Sequence, residues 1–285
     1  MTVGIAAICQ EETNPKVVLA ADRMITTGQN PKIEYEHTRS KIKKVNDGDV
    51  VTCMAVASGT VSFIEQFFSN LESRLSDIDP AGISHIAKEA RKAYTEVGKS
   101  TVENQVLDKF GLEISDLTQG NTDFESDVLS SFLSDVSDAQ DNFSQQLEVV
   151  LGGIDALGPH IYSIQNFDLD PQNTIGYHTI GSGNQPARSV FIRNEYDTNC
   201  SIDQGIISTI EAKKQAEEAR GVGTEMDLAV VNRAQDGAEC CELFPRPKKA
   251  KWESLYSDIV EAEQEARQET ISTESLDYEI GDEGQ

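Results

Sequence analysis

Residues 149–164 read VVLGGIDALGPHIYSI. Two runs rich in β-branched and aromatic residues flank Asp155–Ala156–Leu157–Gly158, and aspartate and glycine both favour a tight turn. Runs of this length and composition are typical of buried strands. The stretch therefore predicts a β-hairpin that turns at Asp155–Gly158.

Strand-like and helix-like segments alternate in blocks along the rest of the chain. Strands are predicted over 2–9, over 16–26 and as a pair within 41–59, and a second hairpin over 224–244. The segment 26–40 is predicted to be a loop with at most a short strand. Helices are predicted over 60–78 and 83–107, from about residue 184, and over 201–221. This order predicts an α+β protein with two antiparallel sheets covered by helices on their outer faces.

The region 107–145 differs from its surroundings because it is acidic and has one basic residue, Lys109. Scattered pairs of apolar residues predict one or two amphipathic helices there. We interpret it as an insertion into a domain that spans 1–250. Residues 251–285 are predicted to form an acidic helix and a tail with the composition of a disordered end.

The formal net charge of −25 excludes a broad nucleic-acid surface, because phosphates would be repelled. No apolar run is long enough to span a membrane, and no targeting segment is visible, so we expect a cytoplasmic protein without membrane association. The acidity is typical of a soluble surface, and a high-salt cytoplasm is a specific version of that reading which composition leaves open.

The five cysteines and four histidines form no pattern typical of a metal site or a disulfide framework. Cys9 and Cys53 lie in apolar runs and are predicted to be core residues. There is no GxSxG elbow for a serine hydrolase and no cofactor motif. We therefore expect neither a metal nor a cofactor.

Several segments, in order, resemble proteasome β-type subunits and the bacterial proteasome-like peptidase that works with an ATPase. They are TVGIAAI (2–8), VVLAADRMIT (17–26), SKIKKV (40–45), VVLGGIDALGPHIYSI (149–164), TIGSG (179–183) and DLAVVNR (227–233). The resemblance covers most of 2–235. It implies the N-terminal nucleophile hydrolase fold, a four-layer αββα sandwich of two antiparallel sheets.

The resemblance implies that Thr2 is the nucleophile of an amidohydrolase, most simply a peptidase. A threonine hydroxyl needs a base, and a free α-amine with a pKa near 8 supplies one on the same residue. Only Met1 precedes Thr2 in this sequence, and we expect its removal to expose the amine. Thr2 as an ordinary second residue of a strand is the alternative.

The remaining candidate catalytic residues follow from the same motifs. AADR gives Asp22 as the acid that holds a lysine in place, and SKIKKV gives Lys41 as that lysine. Strand alternation alone favours Lys41 or Lys43 on one face, and the choice of Lys41 rests on the motif. IGSG gives Ser182 as the serine that contacts the amine of the nucleophile. An ordinary turn for Asp22 and Ser182, and a solvated side chain for Lys41, are the alternatives.

Backbone N–H groups between Ala55 and Gly59 are predicted to bind the oxyanion. Relatives tend to have glycine at the first of these positions, where this chain has Ala55, which keeps the N–H but narrows the approach of the substrate.

Three departures from the family pattern leave alternatives open. TVGI often begins two residues after the catalytic threonine, and in that register this chain would lack a nucleophile. Ala219 and Val222 lie near positions where many subunits carry aspartate and serine. The insertion at 107–145 lies near a helix pair that contributes to ring contacts.

The resemblance implies a peptide or protein substrate and a homo-oligomer. It leaves a ring and an ATPase partner open. A catalytically inactive scaffold or regulatory subunit of the same fold, and a transpeptidase or small-amide hydrolase that uses the same residues, are the alternative functions.

Overall fold

The structure is a computed structural model that describes residues 2–10, 14–27, 33–112, 126–233 and 240–273. Contacts divide the chain into a unit of residues 1–244 and a unit of residues 245–285. The second unit contains one long helix, α6, at Arg246–Thr273, which is longer than the helix that the sequence predicts there.

The first sheet has the strand order β10-β1-β2-β11-β12, and every pair in it is antiparallel. Its strands are β1 (Gly4–Cys9), β2 (Lys16–Asp22), β10 (Tyr177–Ile180), β11 (Met226–Val231) and β12 (Cys241–Leu243). The N-terminal strand lies between β10 and β2, so it is paired on both edges, and all six of its residues are buried.

The second sheet has the order β5-β6-β7-β8-β9 and is also antiparallel. Its strands are β5 (Ile42–Asp47), β6 (Thr52–Gly59), β7 (Leu147–Asp155), β8 (Gly158–Gln165) and β9 (Asp168–Pro171). The predicted hairpin is confirmed, because β7 pairs with β8 and Asp155 lies opposite Gly158.

Helices cover the outer face of each sheet. They are α1 (Val61–Leu75), α2 (Ile83–Val102), α3 (Ser126–Ser144), α4 (Asn184–Arg193) and α5 (Ile202–Ala216). The first two pack on the second sheet, whereas α4 and α5 pack on the first sheet. The predicted four-layer αββα, α+β architecture is therefore confirmed.

Strand alternation divides the apolar side chains of β6 between two cores. Met54 and Val56 face the space between the sheets, where they meet side chains of β1 and β2. Cys53 and Ala57 face α1 and α2 on the other side of the same sheet. A strand that is buried on both faces reads as a continuous apolar run, which is how β6 appears in the sequence.

One region differs from the sequence-based expectation. The segment predicted to be a loop pairs Met24–Thr27 (β3) with Ile33–Glu36 (β4) as a small separate sheet. Each of these strands has only four residues, so alternation gives a weak signal there. Residues 28–32 lie outside the described residues. The acidic region contains a helix, as predicted, and the described part of α3 buries Phe132 and Ala139. Residues 113–125 lie outside the described residues.

Candidate active site

Thr2, Asp22, Lys41 and Ser182 belong to one hydrogen-bonded cluster at the end of the sandwich where β1 begins. Thr2 is 3% exposed and Asp22 is fully buried. They are neighbours because β2 returns antiparallel to β1, so that the last residue of β2 lies beside the chain that enters β1. The backbone N–H of Val3 donates to Asp22 Oδ1 at 3.0 Å.

The Lys41 ammonium uses all three of its donors within this cluster. Lys41 Nζ lies 2.5 Å from Thr2 Oγ1, 2.8 Å from Asp22 Oδ1 and 2.6 Å from the carbonyl oxygen of Met24. Lys43, which alternation leaves as an equal candidate, is exposed on β5. The tertiary structure therefore brings Lys41, and not Lys43, to Thr2.

Burial lowers the pKa of Lys41 from its ordinary value, because a charged ammonium is poorly solvated there. The negative charge of Asp22 opposes this effect, and the charges of Glu36 and Asp227 add to the opposition. The charged form of the lysine therefore depends on its carboxylate neighbours. A cation 2.5 Å from Thr2 Oγ1 can stabilise the deprotonated hydroxyl.

Four donors surround the Asp22 carboxylate and fix its orientation. Besides Lys41 and the Val3 N–H, the N–H of Met24 donates to Oδ2 at 3.0 Å and the N–H of Gly223 donates to the same oxygen at 3.1 Å. Gly223 was missed by the sequence reasoning. It lies in the stretch that departs from the family pattern at Ala219 and Val222, and that departure was the only available signal.

Ser182 contacts the main chain of Thr2. The Thr2 nitrogen donates to Ser182 Oγ at 3.1 Å, and Ser182 Oγ donates to the Thr2 carbonyl oxygen at 3.3 Å. Gly181 allows this approach because its φ is +85°, and a Cβ atom there would lie 2.2 Å from the Thr2 carbonyl oxygen and 2.7 Å from Ser58 Oγ. The turn is therefore shaped by its contact with Thr2 and with the end of β6.

The two positions predicted for the oxyanion lie at different places on β6. Ala55 is buried in mid-strand, with Lys43 of β5 opposite it on one side and Leu151 of β7 on the other. Gly59 is the exposed last residue of the strand, with a φ of +137°, and it directly follows Ser58. Of these two residues, Gly59 is therefore the one at the end of β6 that is nearer to Thr2.

A cavity of about 350 Å³ adjoins the Ser182 turn. Glu148 joins the cavity to the turn, because it lines the cavity and its Oε2 accepts the N–H of Gly181 at 2.6 Å. His178 and Arg188 also line the cavity, and burial, together with the charge of Arg188, lowers the pKa of His178 to about 4. The imidazole is therefore neutral at physiological pH. Sequence reasoning missed Glu148, and nothing in its neighbourhood distinguishes it.

The described residues contain no group of three or more histidine, cysteine, aspartate or glutamate side chains arranged to hold a metal ion. Within the same residues, no helix is both long enough and apolar enough to cross a bilayer.

No family model matches the chain. A stretch of 97 residues is 33% identical to the proteasome subunit beta of Haloferax volcanii, and it covers 33% of this chain and 37% of that relative.

Solved structures match over nearly the whole chain. The Anbu protein of Yersinia bercovieri, described as an ancestral beta-subunit, superposes with a TM-score of 0.62 at 12% identity and covers 98% of this chain and 100% of that one. The Anbu complex of Pseudomonas aeruginosa, described as a helical assembly, superposes with a TM-score of 0.61 at 13% identity over 92% and 96% of the two chains. The chain therefore has the αββα fold of the Anbu structures, and one third of it is similar in sequence to a proteasome beta subunit.

Proposed function

We propose that the protein is an N-terminal threonine hydrolase that cleaves peptide bonds, with Thr2 as the nucleophile once Met1 has been removed. The observation that carries the proposal is the position of Thr2, whose Oγ1 lies 2.5 Å from the Lys41 ammonium while its main-chain nitrogen lies 3.1 Å from Ser182 Oγ. This geometry supports the register in which Thr2 itself is the nucleophile. It disfavours the register in which TVGI begins two residues after the catalytic threonine and the chain lacks a nucleophile.

In the proposed reaction, the free α-amine of Thr2 takes the proton of the Thr2 hydroxyl as Oγ1 attacks the scissile carbonyl carbon. The Lys41 ammonium stabilises the developing negative charge on Oγ1. The protonated amine then gives its proton to the leaving nitrogen as the peptide bond breaks and an ester on Thr2 forms. Water hydrolyses the ester, releases the acid and restores the hydroxyl.

Gly59 is the better candidate of the two for binding the tetrahedral oxyanion. Ala55 has a paired strand on each side. Its N–H therefore points towards one of these two strands and not towards a substrate. Gly59 ends β6 next to Ser58, whose hydroxyl is close to the turn that contacts Thr2. A substrate carbonyl held at the end of β6 would lie beside the nucleophile.

The test is the intact mass of the purified protein before and after treatment with a peptide epoxyketone. We expect loss of Met1 and one adduct, which peptide mapping locates on Thr2. Thr2→Ala should remove the adduct and any peptide hydrolysis, whereas Thr95→Ala, on the outer helix α2, should keep both. Hydrolysis that survives in Thr2→Ala would reject the proposal.

An inactive scaffold is the second candidate, and one observation favours it. The wall beside the Ser182 turn is apolar, since a Cβ atom on Gly183 would lie 3.0 Å from each of the Val3, Ala216 and Val222 side chains. Many family members carry an aspartate and a serine near positions 219 and 222. Retained Met1 together with no adduct on Thr2 would favour the scaffold.

We further infer that the protein assembles with copies of itself. The helical assembly described for the Pseudomonas aeruginosa Anbu complex, a protein of the same fold, supports this inference. Sedimentation velocity of the full chain over a range of concentrations tests it, and a monomer at all concentrations would contradict it.

A further inference from the structure

Lys213 is a buried cation to which the proposed reaction assigns no role. It lies in the last turn of α5, and its side chain is fully buried. Lys213 Nζ donates to the carbonyl oxygen of Thr224 at 2.6 Å and to Glu217 Oε1 at 2.5 Å. A buried ammonium is costly, and replacing such a group by an apolar side chain of similar size is often neutral for stability. Stability alone is therefore a weak reason for a lysine at this position.

Lys213 binds the segment of chain that also donates a hydrogen bond to Asp22. Thr224, whose carbonyl oxygen binds Lys213, directly follows Gly223, whose N–H donates to Asp22 Oδ2 at 3.1 Å. The N–H of the next residue, Glu225, donates to Glu36 Oε1 at 3.2 Å. Three consecutive residues are therefore held at three points, and the part-buried bond from Lys213 lies between the buried bond to Asp22 and the exposed bond to Glu36.

The charges that face Lys213 come from three elements. Burial lowers the pKa of Lys213, Glu217 raises it, neighbouring Lys214 lowers it, and Asp22 on β2 raises it. Lys214, by contrast, is 35% exposed and lies 3.1 Å from Glu217 Oε1, so it shares that partner with Lys213, whereas the hydrogen bond to the Thr224 carbonyl oxygen comes from Lys213.

We propose that Lys213 is a positioning residue, which holds the segment 217–225 so that the Gly223 N–H and a nearby positive charge keep Asp22 aligned with Lys41. Its consequence for catalysis rests on the proposed function, whereas its effect on the Gly223 hydrogen bond does not. Ala219 and Val222, near which relatives carry polar residues, lie within this segment. In this chain, Lys213 at the end of α5 would supply the polar contact to the segment instead.

The experiment compares Lys213→Met with Lys214→Met in the full chain, using two readouts. The first is hydrogen exchange of the Gly223 amide, which we expect to become at least about tenfold faster in Lys213→Met, as loss of a hydrogen bond to a charged group implies. The second is the rate of epoxyketone addition to Thr2, which we expect to fall on the order of 100-fold, as small misplacements of reacting groups do. Both should remain unchanged in Lys214→Met.

The outcomes separate this inference from the proposed function. If the wild-type protein forms no adduct, the proposed function fails, and the exchange rate still decides whether Lys213 holds the segment. Unchanged exchange at Gly223, or faster exchange with a wild-type adduct rate, would overturn the positioning role. Should Lys213→Met not fold, Lys213→Gln replaces it, and wild-type values of both readouts in that variant would overturn the role equally.

Discussion

The Asp22 carboxylate and the Lys41 ammonium lie 2.8 Å apart, although Asp22 ends a strand of the first sheet and Lys41 directly precedes a strand of the second. The pair therefore joins the two sheets at the end of the sandwich where Thr2 lies. Asp22 is fully buried and Lys41 is 13% exposed, so solvent screens their attraction little.

Replacing Asp22 by asparagine should lower the pKa of Lys41 further. Burial already lowers it, and the charge of Asp22 is the largest opposing influence. More of the lysine would then be neutral at pH 8, and adduct formation at Thr2 should slow by at least about 100-fold. ¹⁵N-NMR titration of the lysine side chains, with Lys41→Arg to assign the signal, measures the shift. An unchanged or raised Lys41 pKa would contradict the account.

Because the pKa of Lys41 is lowered in the folded protein, the contribution of this residue to the free energy of unfolding should depend on pH. The unfolded chain binds this proton more tightly than the folded chain does. The contribution of Lys41 to the free energy of unfolding therefore increases as the pH rises from the lowered folded pKa to about 10.4, the value for an unfolded lysine. Urea unfolding across this alkaline range should show a free energy of unfolding that changes more favourably with rising pH in the wild-type protein than in Lys41→Met, because only the wild type has the contribution of Lys41.

Lys41→Met should slow the modification of Thr2 by at least about 100-fold, while Lys43→Met should leave the rate unchanged. The reason is geometric, because Lys41 contacts Thr2 Oγ1 whereas Lys43 is exposed. Both variants remove one positive charge from the same stretch, so general electrostatics cancel in the comparison. The pseudo-first-order rate of epoxyketone addition is the measurement, and equal rates in the two variants would refute the assignment.

Gly181→Ala should destabilise the protein more than Gly111→Ala does. Both glycines have positive φ, +85° and +64°, so each alanine carries the left-handed cost of about 1–2 kcal/mol. A Cβ atom on Gly181 would also lie 2.2 Å from the Thr2 carbonyl oxygen, whereas one on Gly111 meets no described atom within 4 Å. The overlap should add about 1–3 kcal/mol, which urea denaturation can resolve. Equal losses would mean that the turn does not press on Thr2.

Asp155 should contribute stability that is lost in acid. Burial alone would raise its pKa, but hydrogen bonds from the Ile83 and Leu157 N–H groups, together with His160, hold that pKa below its ordinary value. The contribution is therefore complete above the unfolded value of about 3.9 and disappears as the pH falls through the lower folded value. Urea unfolding below pH 4 should be less pH-dependent in Asp155→Asn than in wild type, with exposed Asp135→Asn as the control.

Cys200 should react with iodoacetamide faster than Cys9 does. The hydrogen bond with Cys9 outweighs burial, and with help from Tyr196 it lowers the pKa of Cys200 to about 7, whereas the pKa of Cys9 is raised. The Tyr196 hydroxyl lies 3.4 Å from Cys200 Sγ. Labelling followed by peptide mapping should show a rate at Cys200 that increases through about pH 7, and Tyr196→Phe should move the increase to higher pH.

Local residue patterns and the order of the motifs are sufficient to predict several strands and helices of this protein and its candidate site residues. The hairpin at 149–164 and the helix at 61–75 follow from alternation, turn residues and helical spacing, because these features depend on neighbours in the chain. The order of the segments predicts two antiparallel sheets with helices on their outer faces, and the resemblance implies the four-layer sandwich. The motifs alone indicate four candidate catalytic residues, Thr2, Asp22, Lys41 and Ser182.

Relations across the sandwich required the tertiary structure. The choice between Lys41 and Lys43 on one face depends on which side chain meets Thr2. The difference between Ala55 and Gly59 depends on the strands on each side of β6. The roles of Gly223 and Lys213 arise only where β2 meets the end of α5. Chain pattern by itself determined which residues are chemically able to form a site, whereas the packing of two sheets and a helix decided their distances, because hydrogen bonds and desolvation depend on separations in space and not on separations along the chain.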